Sequence, residues 1–213
     1  MNLFKSLILV ISSLCLVAGA TTSGAAAVES TDSAAKAAEM EKIKQLTAQI
    51  KLEPKKAILY ASRGQCYVRL KDLNHALSDT NMALELNPNT ALFCLARGSI
   101  FSAMGKRDLE KLDLERAVKL SPDDVQCLRK LAALYTVNHN FSDACNLLSK
   151  AISIKSNSAE LYLLRAEALT SMRNFSKAVA DCDQAEKLEP ESKDIVLVRN
   201  EIKRVQESKP TER

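Results

Sequence analysis

The sequence has no tryptophan and few aromatic residues of any kind. Aromatic residues make up 4% of the 213 residues, and there are only five glycines, five prolines and two histidines. So few aromatic side chains leave no platform on which bases could stack, and the formal net charge of +4 is spread over segments of mixed sign. The composition therefore argues against a nucleic-acid partner.

The chain also lacks the short motifs of common enzymes. It contains no phosphate-binding loop, no dinucleotide-binding glycine pattern, and neither a GxSxG nor an HExxH sequence. His75 and His139 fall at surface places outside any triad spacing, and Asp181 and Asp183 point to different faces of one helix. The sequence thus predicts a protein that is not an enzyme, has no metal or cofactor, and offers no site for a small-molecule substrate.

The first 20 residues have the order of a secretory signal. The basic start MNLFK precedes a short apolar run and small residues, so we expect cleavage after Ala20 and a protein that is exported, either periplasmic or secreted. The alternative is an uncleaved anchor, although the run is shorter than the about 20 residues that span a bilayer comfortably. Only an anchor would bring the protein to a membrane. Cys15 follows Leu14, where a lipoprotein signal would have a small residue, so lipid attachment is disfavoured.

Cleavage would leave five cysteines. The odd number leaves at least one of them unpaired within a monomer, and their spacings match neither a CxxC pair nor a zinc pattern. Each lies in a helical, largely apolar stretch, so we interpret them as small buried side chains, with a disulfide as the alternative. They are Cys66, Cys94, Cys127, Cys145 and Cys182.

What the sequence does have is a unit that recurs after 34 residues. Four copies follow one another without insertion, over residues 57–90, 91–124, 125–158 and 159–192. Small residues recur at the eighth, twentieth and twenty-seventh places, where they let two helices approach closely, and a proline near the end stops the second helix. Glu110 departs from this pattern at the twentieth place of the second copy. The repeat predicts two packed helices in every unit.

This pattern resembles the tetratricopeptide repeat family, whose 34-residue unit is a pair of antiparallel helices. The resemblance implies an all-α fold in which the units stack into a right-handed superhelix, an α-solenoid. The family's large fourth residue matches Tyr60, Cys94, Leu128 and Tyr162; its small eighth residue matches Gly64, Gly98, Ala132 and Ala166; its alanine at the twenty-seventh place matches Ala83, Ala117, Ala151 and Ala185.

The segments on either side of the repeats are predicted to complete the stack. Residues 21–35 are small and polar and are expected to form a flexible leader. Residues 193–206 are expected to form a capping helix that covers the last unit, followed by a polar tail at 207–213. Residues 36–56 are expected to form the second helix of an incomplete unit, since apolar residues recur there at helical spacing: Met40, Ile43, Leu46 and Ile50.

An arginine at the seventh place varies together with the residue sixteen positions later. Three units have arginine and aspartate in these places, whereas the third unit has Leu131 and Leu147. Such joint variation predicts structural ion pairs between the two helices of a unit rather than a row of arginines for an anionic ligand. The predicted pairs are Arg63 with Asp79, Arg97 with Asp113, and Arg165 with Asp181.

The sixteenth place of three units carries a short polar residue, as the start of a helix requires. These residues are Asp72, Asn140 and Asn174, and the two asparagines begin NFS sequences. In a eukaryotic secretory pathway both asparagines would be acceptors for a glycan. The inherited repetition of one turn is the simpler explanation.

The resemblance implies a scaffold whose first helices bind a protein or a peptide along a concave face. The first two units would present aliphatic side chains there, and the fourth would present Glu160 and Glu167, so we expect a partner segment with aliphatic side chains at one end and a basic residue at the other. The family's groove places correspond to Ile58, Ala61, Gln65, Val68, Arg69, Leu92, Leu95, Ser99, Ser102, Ala103, Gln126, Arg129, Ala133, Thr136, Val137, Glu160, Leu163, Glu167, Thr170 and Ser171.

One well-known groove chemistry of this family is missing. The family's clamp of lysine, arginine and asparagine for the acidic tails of heat-shock chaperones would fall on Ala61, Gln65, Ala96, Gln126 and Lys130. Three functions are left open: an exported scaffold for a protein or peptide partner, acting in the assembly of an envelope or secretion complex; a thiol-based redox or metal-handling protein; and an accessory module of a separate enzyme.

Overall fold

The computed structural model describes the backbone of residues 23–208 and the side chains of residues 33–208, and every regular element in that range is an α-helix. The predicted all-α repeat fold is confirmed. The predicted signal segment at 1–20 and the end of the predicted tail at 209–213 lie outside the described residues. The helices are α1 Ser23–Leu52, α2 Ala57–Arg69, α3 Leu73–Leu86, α4 Ala91–Ala103, α5 Arg107–Leu120, α6 Val125–Val137, α7 Phe141–Ile154, α8 Ala159–Ser171, α9 Phe175–Leu188 and α10 Lys193–Glu207.

Each 34-residue unit folds into a first and a second helix joined by the same tight turn. The fifteenth residue of every unit has a left-handed backbone: φ is 61° at Lys71, 72° at Gly105, 62° at His139 and 59° at Arg173. Glycine adopts this conformation freely, whereas a side chain brings Cβ close to a carbonyl oxygen. Three of the four turns therefore carry backbone strain that the packing of the helices on either side must offset.

Small residues bring the two helices of a unit into close contact. Ala76 and Ala83 of α3 are fully buried against α2, as the spacing of small residues predicts. A Cβ atom added to Gly64 would lie 3.2 Å from the carbonyl oxygen of Ala76, closer than side chains normally approach. In the second unit Glu110 is half-buried, and Gly98 keeps the helices close, because a Cβ there would lie 3.3 Å from Leu114.

The core runs along the stack as overlapping clusters, each shared by neighbouring units. One cluster joins Ala83 of the first unit, Phe93 of the second and Cys127 of the third. Another joins Leu148 of the third unit to Leu161 of the fourth. No unit buries all its apolar side chains by itself. Packing between neighbouring units therefore fixes the order of the first helices along the solenoid.

The two flanking helices differ in part from the sequence-based expectation. The predicted flexible leader is helical from Ser23 onward, since its alanine-rich sequence has a high intrinsic helix propensity even without large apolar side chains. Met40 is 64% exposed, so the apolar stripe of α1 that packs on α2 comprises Ile43, Leu46 and Ile50 only. Within residues 23–208 no helix has both the length and the apolar character needed to cross a membrane.

At the other end α10 packs on the fourth unit. Ile195, Val198 and Ile202 are buried against the cluster formed by α8 and α9. The helix therefore covers the apolar face of the last unit, as a capping helix is expected to do.

Candidate functional site

The structure brings together all three predicted arginine–aspartate pairs. In each pair the guanidinium donates two hydrogen bonds to one carboxylate, with lengths of 2.7–2.8 Å in every case. The aspartates are buried, being only 4–5% exposed, so each charge is matched inside the helix pair. In the third unit Leu131 and Leu147 pack in one apolar cluster instead.

Each of these arginines also binds the preceding unit, a contact that the sequence analysis missed. The Nη1 atoms of Arg63, Arg97 and Arg165 donate to Thr47, Asn81 and Ser149 over 2.9–3.0 Å, and each partner lies sixteen residues before its arginine. The hydrogen bond with Asp79 raises the pKa of Arg63, and the pKa of Arg97 and of Arg165 rises for the same reason. Arginines engaged in this way hold the stack together and are not a site for anions.

The groove face, as we name it, is the surface formed by the predicted lining residues of the first helices α2, α4, α6 and α8. Two of these predictions are wrong, because Leu163 is 8% exposed and packs beneath α10, and Thr170 is 3% exposed and donates to the carbonyl of Ala166. Five others are half-buried: Ala61, Leu95, Ser99, Arg129 and Thr136. The remaining lining residues are exposed: Ile58, Gln65, Val68, Arg69, Leu92, Ser102, Ala103, Gln126, Ala133, Val137, Glu160, Glu167 and Ser171.

The part of the groove face formed by the first two units and the end of α6 exposes several aliphatic side chains among polar ones. Leu92 is 57% exposed and Ile58, Val68 and Val137 are also exposed, although nothing in the described chain requires aliphatic side chains to face solvent there. Leu95 is half-buried and contacts two buried clusters, and the exposed part of its side chain belongs to the same part of the groove face. Groove places of α2, α4 and α6 thus each contribute at least one exposed aliphatic side chain that a partner could cover.

An ion pair separates the apolar part of the groove face from its acidic part. Nη1 of Arg129 in α6 donates to Glu160 of α8 over 2.8 Å, and its Nε and Nη2 donate to Gln126 over 3.3 and 2.9 Å. Arg129 and Glu160 therefore neutralise each other across two units.

The acidic part of the groove face includes residues of α10 that the sequence analysis treated only as a cap. Glu167 is an exposed residue, but burial of its carboxyl by the surrounding protein and then the charges of Asp194 and Glu201 raise its pKa. Counting the repeat on from residue 193 puts Asp194 and Glu201 at the second and ninth places of a further unit, both groove places. That count was available from the sequence and would have extended the groove onto α10.

The register of α10 is confirmed by an arginine at the matching place. Arg199 lies 34 residues after Arg165 and donates to Asp183, sixteen residues before it, over 2.7 Å. It thus reproduces the contact that the other arginines make with the preceding unit. The helix α10 is therefore the first helix of a fifth, incomplete unit as well as a cap.

The cysteines do not have the surroundings of reactive thiols. The five that lie within the described residues are all free, and all but the half-buried Cys145 are buried. Burial raises the pKa of each thiol, that of Cys127 to about 12. The reactive thiolate is thus strongly disfavoured at neutral pH. No group of three metal-ligating side chains comes together within the described residues.

The two asparagines of the NFS sequences stand immediately before the first residues of α7 and α9. Neither Asn140 nor Asn174 caps its helix with its side chain, whereas Asp72 accepts a hydrogen bond from the backbone of His75 over 3.2 Å. The capping role expected for this place is therefore carried out by the aspartate alone.

This geometry defines an all-α repeat solenoid with a groove face, and comparison with known sequences agrees. The sequence model of the tetratricopeptide repeat matches residues 57–90, 91–124 and 159–192. These three units are similar to tetratricopeptide repeats, and the unit at 125–158 between them has the same helix pair.

Solved structures share the fold. The crystal structure of MamA superposes with a TM-score of 0.63 at 20% identity, over 70% of this chain and 86% of that one. The crystal structure of YrrB, described as a TPR protein with an unusual peptide-binding site, superposes with a TM-score of 0.64 at 16% identity, over 74% of this chain and 81% of that one.

Curated relatives match over part of the chain. The TPR repeat-containing thioredoxin TDX of Arabidopsis thaliana is 36% identical over 84 residues, which are 39% of this chain and 22% of that protein. Hsc70-interacting protein 1 of Drosophila melanogaster is 37% identical over the same length. The DnaJ homolog subfamily C member 3 homolog of Dictyostelium discoideum is 23% identical over 64% of this chain and 30% of its own length. The chain thus spans less than a third of each of these relatives.

Proposed function

We propose that the protein is an exported scaffold that binds a segment of a partner protein along its groove face. The exposure of Leu92 and of the other aliphatic side chains at groove places carries the proposal, since these places could have been polar at no cost to the fold. Relatives described as Hsc70-interacting and a structural neighbour described as peptide-binding support a role in protein interaction. Within the exported compartment the scaffold would act in the assembly of an envelope or secretion complex.

Substitution on the two sides of the second unit tests the binding surface. We expect Leu92→Glu to abolish capture of the partner crosslinked to the parent protein in its own compartment, because a charge would replace buried aliphatic contact. The matched control is Leu112→Glu on the second helix α5, where the leucine is 61% exposed but lies away from the groove face. Equal capture by the parent and by Leu92→Glu, with both folded, would contradict the proposal.

The structure makes Leu92 a better test position than Leu95. The groove place assigned to Leu95 from the sequence predicts that Leu95→Glu weakens capture without unfolding the protein. Leu95 contacts two buried clusters, so a glutamate there would also disturb the core.

Export rests on the order of residues 1–20 alone, and mass spectrometry of the protein isolated from its own cells tests it. We expect an amino terminus at Thr21 in the exported fraction. A chain that still begins at Met1 and remains in the compartment where it is synthesised would contradict export. The proposal that the groove face binds a partner would be unaffected.

A further inference from the structure

We propose that the groove face selects a partner segment with aliphatic side chains followed or preceded by basic residues, which α8 and α10 bind together. This inference rests on the proposed function and states the chemistry of the partner. The aliphatic part would lie against α2 and α4, and the basic part against the acidic surface formed by Glu167 and Asp194, here called the acidic end.

The apolar requirement follows from which groove residues reach solvent. Ile58 and Val68 of α2 and Leu92 of α4 expose aliphatic side chains, and no acidic side chain occupies a groove place in these two helices. Arg69, the one cation at a groove place there, is bound to Glu39 of α1 over 3.1 Å. This part of the face therefore favours uncharged aliphatic side chains.

The basic requirement follows from the balance of charges at the other end. Glu160 is neutralised by Arg129, and Glu201 accepts two hydrogen bonds of 2.8 and 2.6 Å from Arg204. Glu167 and Asp194 have no ion-pair partner in the part of the chain that the structure describes. Asp194 lies close enough to Glu167 to disfavour the charge of Glu167, and neither is ion-paired there, so the two carboxylates are electrostatically complementary to a basic side chain.

The face also has the polar groups that a polypeptide needs. Gln65 in α2 and Gln126 in α6 place amides among the aliphatic side chains, and both residues are exposed. The amide of Gln65 can both donate and accept hydrogen bonds, and the amide of Gln126, whose oxygen already accepts from Arg129, can donate, so both can bind the backbone of an extended segment. A polypeptide is therefore the occupant that fits, rather than a purely apolar ligand.

Binding of synthetic peptides to the purified full chain, followed by fluorescence anisotropy, tests the inference. The first probe joins a block of Leu, Ile and Val to a block of Lys and Arg, in both orders. The second replaces the basic block by Glu, and the third replaces the aliphatic block by Ser. Of the two block orders of the first probe, we expect the tighter one to bind roughly tenfold more tightly than the second and third probes. A tenfold difference is what two partly exposed charge pairs, or a few buried side chains, would contribute.

Matched variants locate the two parts of the site. We expect Glu167→Gln combined with Asp194→Asn to weaken the first probe roughly tenfold and to leave the second no weaker, whereas Leu92→Glu should weaken both. Leu112→Glu should change neither. The difference between the first two probes should also shrink as salt is raised, because the charges at the acidic end are partly exposed.

The outcomes separate this inference from the proposed function. If the first two probes bind equally and Leu92→Glu abolishes the binding of both, the groove face binds protein segments, but the inferred preference for basic residues is wrong. If no probe binds, or if Leu92→Glu binds like the parent, both are wrong. Unchanged binding of the first probe by the Glu167→Gln, Asp194→Asn variant would overturn the role of the acidic end.

Two other occupants of the face have distinct signatures in the same experiment. If a second copy covers it, the parent will sediment as a dimer that Leu92→Glu dissociates. If residues 1–20 of the chain itself cover it, removing them will be required before the first probe binds. Either result would overturn the inference of a separate basic partner.

Discussion

The arginine at the seventh place ties three helices together. It donates two hydrogen bonds to a buried aspartate of its own unit and a third to the second helix of the unit before. The sequence predicted the first contact, because arginine and aspartate are exchanged together for leucines in the third unit. It did not predict the second, because Thr47, Asn81 and Ser149 share only polarity and show no joint variation with the arginine.

Removal of one member of such a pair should be more harmful than removal of both. We expect Arg63→Ala to lower the free energy of unfolding by about 3 kcal/mol, because Asp79 would be left as an unpaired buried charge. The combination Arg63→Leu with Asp79→Leu should cost clearly less, since the third unit already uses Leu131 and Leu147 in these places. Urea unfolding measures the free energy of unfolding of both variants. Equal decreases in the two variants would show that Arg63 and Asp79 do not stabilise the fold as a pair.

Glu167 should make stability depend on pH in a defined direction. Its pKa is raised in the folded protein, so the folded state holds the proton more tightly than the unfolded state, and stability falls as pH rises above the unfolded value of about 4.3. We expect Glu167→Gln to be more stable than the parent at pH 7 and equal to it below about pH 4. Thermal unfolding of both proteins across this pH range measures the difference. If the fold instead stabilises the carboxyl as an anion, Glu167→Gln will be less stable than the parent at pH 7.

At the scale of the elements, the turn between the two helices of a unit is uniform in shape but not in sequence. Glycine occupies its left-handed position in the second unit only, and Lys71, His139 and Arg173 occupy it elsewhere. The repeat alignment located the turn but gave no sign of the positive φ, because four different residue types occupy the place and only one of them is glycine. Tertiary packing of the flanking helices overrides the local preference there.

Relief of this strain should stabilise the protein. We expect Lys71→Gly to raise the free energy of unfolding by about 0.5–1 kcal/mol, because glycine has no Cβ to clash in the left-handed conformation. The control is Lys203→Gly on the exposed side of α10, which should lower it by about 1 kcal/mol through the poor helix propensity of glycine. A loss of stability in both variants would show that the turn is not strained at Lys71.

The flanking helices show where reasoning from the repeat is incomplete. The start of α1 was missed because alanine-rich helix needs no apolar stripe, whereas the prediction relied on one. The contribution of α10 to the groove face was missed because its sequence looks like a cap, yet its register carries Arg199, Asp194 and Glu201 at repeat places. Conversely Leu163 was assigned to the groove although α10 covers it.

At the scale of the whole molecule, the order of the units creates a face with two chemistries. Because each unit packs only on its neighbours, groove residues of successive units form one continuous surface. The aliphatic side chains of the first two units and the carboxylates of α8 and α10 lie at its two ends. A partner that matches both ends would be held in one direction, so the solenoid could select what it binds along an open face.

Site-specific photocrosslinking in the protein's own compartment tests the central claim most directly. A photoreactive residue would replace Leu92 on the groove face in one protein and Leu112 on α5 in another, and mass spectrometry would identify the attached peptides. We predict that position 92 captures one partner segment rich in aliphatic residues, with basic residues on one side of the crosslinked position, and that position 112 does not capture it. Capture of the same segment from position 112 but not from position 92 would contradict the account, because the partner would then bind the second helices rather than the groove face.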